Sequence, residues 1–163
     1  MPTPTYIPLA NLTLGSAAAT VTFSSINQGY RDLILVCSGT SANTSINSIQ
    51  LRFNSDAGSN YAVVNMIGIS SGPAAASTTS SGASGGLTVS NSVNVNITQI
   101  VDYSATDKHK STLSRENAMG DSYIRIAGSR WANTAAITAI LCRIDTGANF
   151  NTGSTFALYG IVA

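Results

Sequence analysis

Hydrophobic residues in this chain recur at every second position, in short runs cut off by turn residues. That spacing admits few folds other than packed β-sheets. Val21 and Phe23 alternate with threonine and serine, Ile49, Leu51 and Phe53 with Gln50, Arg52 and Asn54, and Val93, Val95 and Ile97 with asparagine. Leu33 to Val36 is a continuous apolar run, as expected of a strand covered on both faces. Further runs at Tyr61–Ile69, Ile100–Tyr103, Lys108–Arg115, Tyr123–Ile126, Ile137–Ile144 and Phe156–Val162 bring the expected total to about nine strands. Thr134 to Leu141 is the only helical candidate, and its β-branched residues favour a strand. The expected fold is a single-domain, all-β antiparallel sandwich of jelly-roll type, with an immunoglobulin-like sandwich as the competing topology.

Two segments break the alternation. Residues 1–15 hold Pro2, Pro4 and Pro8, which remove donors that sheet pairing needs, so an extended N-terminal arm is expected ahead of a sandwich at residues 16–163. Tyr6, Ile7, Leu9 and Leu12 are the arm's apolar anchors, either against its own sandwich or against a neighbouring subunit. Residues 70–86 are almost entirely Ser, Ala, Gly and Thr and are expected to form a flexible loop.

Charge limits the choice of partners. Only 9% of residues are charged, against roughly a quarter in an ordinary globular domain. Eight basic residues matched by seven acidic ones cannot build the clustered cationic surface that nucleic acid requires. Solubility rests on Ser, Thr and Asn, about a third of the chain. With a net charge of +1, little repulsion opposes self-association, which points to a protein that sits in an assembly. No apolar run reaches the length of a membrane span. Met1 to Tyr6 lacks the basic and apolar regions of a signal peptide, so cytoplasmic synthesis is expected. Cys37 and Cys142, each in an expected strand, then read as buried free thiols.

The chemistry-bearing residues are sparse. His109 stands between Lys108 and Lys110 and reads as an exposed strand histidine. One histidine and two cysteines make a poor zinc site, and no phosphate-cradling or hydrolase motif occurs. Asn54 to Asn60 starts like a calcium loop but lacks its distant glutamate, and a tight turn explains the same residues. The acids Asp32, Asp102, Asp107, Glu116, Asp121 and Asp145 are scattered and read as lying near turns or strand ends, which leaves no carboxylate pair for glycoside hydrolysis. No enzyme, cofactor or metal is expected. Trp131, at a strand end, is either a core cap or an interface anchor.

Several segments stand out in order: Ser24-Ser25-Ile26-Asn27-Gln28-Gly29-Tyr30-Arg31-Asp32-Leu33, Leu51 to Tyr61, Ile100 to Ser104 with Lys108 to Lys110, Gly128 to Ile137, and Phe150 with Gly153 to Ile161. Together they resemble a group of tailed-phage virion proteins. Position 27 is asparagine where that group often has proline. The resemblance implies a jelly-roll module, often trimeric, on the outer surface of the phage particle. It serves there as a capsid decoration (cement) protein, a head fibre or a tail-fibre tip. The short arm before the first strand suits decoration, with the phage major capsid protein as partner. The alternative is a fibre tip that recognises a host-surface glycan. The candidate interface residues are Tyr6, Ile7, Leu9, Leu12 and Trp131.

Overall fold

The computed structural model describes residues 4–69, 72–88, 92–118 and 123–162. Those residues form twelve strands and no helix: β1 (Tyr6–Thr13), β2 (Thr20–Phe23), β3 (Asp32–Gly39), β4 (Asn47–Phe53), β5 (Tyr61–Ile69), β6 (Gly72–Ser80), β7 (Ala83–Thr88), β8 (Asn94–Val101), β9 (Lys110–Ala118), β10 (Tyr123–Trp131), β11 (Ile140–Ile144) and β12 (Thr155–Ile161). They pair antiparallel in two sheets. The large sheet has the order β1-β12-β3-β8-β9-β10-β5-β6 and the small one β2-β11-β4-β7. The result is a sandwich-like arrangement compatible with a jelly roll.

Between the sheets lies an apolar core in which Leu33, Leu35 and Cys37 of β3 meet Ile49, Leu51 and Phe53 of β4 and Ile140, Cys142 and Ile144 of β11. Phe150 and Phe156 meet edge to face, with ring centroids 5.0 Å apart. Cys37 and Cys142 are free and buried. The hydrogen bond that Cys142 shares with Cys37, together with burial, pushes its thiol well up. In the native state both thiols are therefore expected to react with a disulfide reagent on the order of a hundredfold more slowly than in the unfolded chain. Stopped-flow thiol titration with and without denaturant measures the ratio.

Three expectations change. Within the arm expected at residues 1–15, Tyr6–Thr13 forms a strand, β1, at the edge beside β12, so this segment lies against its own sandwich, one of the two placements left open. Pro8 is tolerated there because an edge strand leaves one row of backbone groups unpaired, and the register shifts between Pro8 and Ala10. The flexible loop expected at residues 70–86 holds two strands, although Ser70 and Ser71 lie outside the described residues. β6 pairs with β5, and β7 pairs with β4 and is buried along its whole length. Its glycines are there for close approach. A Cβ on Gly85 would lie 2.5 Å from the Leu51 side chain, and one on Gly86 (φ +148°) would lie 2.5 Å from Asn96 Cγ. Finally, the strand expected at Ile137–Ile144 begins only at Ile140.

The alternation also faces the unexpected way over half of the large sheet. In β8 the inward residues are Asn94, Asn96 and Thr98, with only Ile100 apolar, and in β9 they are Lys110, Thr112, Ser114 and Glu116, with only Ala118 apolar. In β10 they are Arg125, Ala127, Ser129 and, at the end, the core residue Trp131. The apolar residues between them, Val95, Leu113, Ile124 and Ile126, point outward.

Candidate interaction surface

Several of the inward polar residues, Glu116, Arg125, Ser114, Ser129 and Asn96, pair with β7. Glu116 accepts from Arg125 Nε and from Ser84 Oγ (2.7 Å). Arg125 Nη1 reaches Ser48 Oγ (3.1 Å), and Nη2 reaches Ser84 Oγ (3.0 Å) and the Gly86 carbonyl (3.2 Å). Ser114 Oγ donates to the Ser84 carbonyl (2.7 Å), and the Ser84 N–H donates to Ser129 Oγ (3.1 Å). The Asn96 amide completes the set, accepting from Leu87 N (3.0 Å) and donating to Leu87 O (2.9 Å) as another strand would. Glu116 thus lies two residues from the end of β9, as expected, but it is buried and paired rather than exposed. Because charge and hydroxyls are needed beneath β7, the apolar residues of β8, β9 and β10 are left facing out.

Those residues form a continuous surface. One transverse row runs Ala75, Met66, Ile126, Arg115, Ile97, Val36, Ala157 and Asn11 across all eight strands. The next runs Ser77, Val64, Gly128, Leu113, Gln99, Ile34, Tyr159 and Pro8. At about 4.8 Å between strands, each row spans roughly 35 Å. Arg115 is the one charge in the two rows. Met66 is 66% exposed, Ile124 64%, Val64 54% and Leu113 50%. Two hollows mark the surface: one of about 260 Å³ among Tyr6, Ile34, Val36, Ile97, Arg115 and Tyr159, and one of about 610 Å³ among Met66, Pro73, Ala75, Ile124 and Ile126. The outer face of the small sheet is different in kind. There Arg143 Nη1 donates to Gln50 Oε1 (3.1 Å) and Arg52 Nε to the Ser81 carbonyl (3.1 Å), with Thr20 and Thr22 beside them.

The five candidate interface residues separate. Tyr6 is exposed on the outer face, and Leu12 is exposed on the side of β1 shared with Phe156. Ile7 is half-buried opposite Gly160, and Leu9 packs against the core. Trp131 is 1% exposed and is no surface anchor. Its ring lies 5.6 Å from Phe53 and 6.3 Å from Tyr61, and Nε1 donates to Asp56 Oδ2 (2.7 Å). That indole bond, aided by Asn60 and Gly58, holds the Asp56 carboxyl below its ordinary value against the opposing effect of burial. The Asn54–Asn60 segment is thus a turn locked to the core, with Asn54 and Ser55 at positive φ. Burial pushes the Tyr61 phenol up to about 12, and its hydroxyl joins the same lock by donating to the Asp56 carbonyl (3.2 Å). His109 is exposed just before β9. No group of three metal-ligating side chains occurs among the described residues.

Sequence reasoning passed over Val64, Met66, Leu113, Ile124 and Ile126 as surface residues because each sits where an apolar residue normally faces inward. The one available signal was Arg125 and Glu116, charges at alternate positions of otherwise regular strands. Comparison with protein-family models, curated proteins and solved structures finds no match to the chain.

Proposed function

We propose that this chain is a structural protein of the outer surface of a tailed-phage particle, a capsid decoration (cement) protein that binds the assembled shell as a homotrimer and stabilises it. The observation that carries this reading is the outward-facing apolar surface of the large sheet, which a module living alone in water has no reason to display. The charge of +1 supports it, since so little repulsion suits a protein held in an assembly. The segments that resemble phage virion proteins supply the setting. Attachment stabilises the shell by mass action, since a ligand that binds only the intact lattice shifts the equilibrium toward it. The acting groups are surfaces, and no bond-making residue is proposed.

Co-sedimentation with purified capsids lacking the protein tests this reading. Retention is expected to saturate at a fixed copy number, with capsids that withstand higher temperature. Ile126→Glu places a charge in the middle of the exposed face and is expected to weaken retention at least about tenfold, with the melting temperature unchanged. No retention on capsids, together with binding to host-surface glycans, would move the assignment to the tip of a tail or head fibre.

A further inference from the structure

Two sheets have four edges, and in this protein three of them are closed to pairing. β2 is only four residues long. β7 is buried, and Asn96 occupies the backbone groups of its Leu87. β1 carries Pro8 and a register shift, both of which disrupt a ladder. The fourth edge, β6, is different. It is nine residues long and pairs with β5 without a register shift, and Pro73 blunts only one end. Pro73 to Thr79 are all exposed.

The chain has no Asp, Glu, Lys or Arg between Asp56 and Asp102, so β6 and its partner β5 hold no charge. Natural sheet edges are ordinarily protected by lysine, bulges or a covering loop, and among the described residues β6 has none of these.

We propose that β6 is a joint between two copies of this chain, the β6 strands pairing antiparallel across a two-fold axis to continue one large sheet into the other. The occupant follows from the charge pattern. In antiparallel pairing about a two-fold axis, the residues nearest the axis meet their own copies, so a charge near the middle of such an edge would face itself; the middle of β6, Ala75, Ala76 and Ser77, is uncharged. A different partner would gain orientation and association rate from complementary charges, and β6 offers none. Ala74, Ala75, Ala76 and Ser77 are small enough for a second strand to approach at ladder distance. The exposed Met66, Ile124 and Ile126 around the 610 Å³ hollow lie beside the joint and add apolar contact. This inference deepens the assembly reading by naming one contact surface, and it requires only self-association, not a phage particle.

Sedimentation velocity of the full chain across a dilution series tests it with Ser77→Lys and Ser77→Asp. Ser77 is exposed and pairs with Val64 inside the sheet, so both variants are expected to fold and to melt within a few degrees of the parent. The parent is expected to form species with an even number of copies: dimers, or pairs of trimers if the proposed trimer also forms. Each variant alone is expected to weaken that association at least about tenfold, and an equimolar mixture to restore it. An unchanged association state in both variants would overturn the joint, and so would a parent that remains a monomer or a lone trimer. A lone trimer retained on capsids removes the joint and leaves the decoration reading standing. A two-fold dimer that ignores capsids does the reverse.

Discussion

Glu116→Ala is expected to destabilise the fold by about 3–5 kcal/mol, because it leaves the Arg125 guanidinium buried without its counter-charge. Both side chains are nearly inaccessible, at 0% exposure for Glu116 and 8% for Arg125, so water cannot take the carboxylate's place. For a chain of this length that cost lowers the melting temperature by roughly 10 °C or more. Calorimetry or denaturant titration measures it. Replacing Glu116 and Arg125 together by methionine removes both charges and is expected to recover part of the loss. Recovery stays incomplete because Ser84 and the Gly86 carbonyl then lose the donor they share. A Glu116→Ala protein as stable as the parent would mean that β7 does not close over this pair.

Trp131→Ala is expected to cost a similar amount, about 3–5 kcal/mol, for a different reason. It empties the centre of the Phe53–Tyr61–Trp131 cluster and removes the indole donor to Asp56. Trp131→Phe keeps a ring in the cluster but loses the Asp56 bond, so a smaller loss is expected. The informative comparison is with assembly. At temperatures where the variants remain folded, capsid retention and self-association are expected to match the parent, since Trp131 does not reach the surface. Selective loss of binding by a stable Trp131→Phe protein would return this residue to the interface.

Which parts of this molecule could be read from its sequence depends on how strongly each strand declares its inner face. Ile49, Leu51 and Phe53 of β4 were legible because the residues between them are polar. In β3 the inward Leu33, Leu35 and Cys37 were legible as core, but Ile34 and Val36 between them lie half-buried on the outer face, so that strand is not covered on both sides as its continuous apolar run suggested. β8 and β10 misled. Val93, Val95 and Ile97, like Ile124 and Ile126, alternate as core residues do, yet the asparagines and Arg125 between them face inward. A period of two fixes which residues share a face but not which face is the interior. That choice is made by β7, whose hydroxyls and backbone carbonyls lie 30 or more residues away in the chain from Glu116 and Arg125. β6 and β7 were hidden for a related reason. Their Ser, Ala and Gly outnumber the strand-favouring Thr and have weak strand preference, and tertiary pairing with β5 and β4 overrides it. At the N-terminal end of the chain the prolines argued correctly against a central strand, but the edge position of β1 accommodates Pro8.

The central claim is that the apolar outer face of the large sheet is covered in the working assembly and the polar face of the small sheet is not. Hydroxyl-radical footprinting of the protein free at low concentration and bound to capsids reads both faces at once. The account predicts that Met66, Leu113, Ile124 and Ile126 lose most of their reactivity on assembly while Leu141, on the small sheet, keeps its own. Unchanged reactivity at those four residues, or protection confined to Leu141, would contradict it.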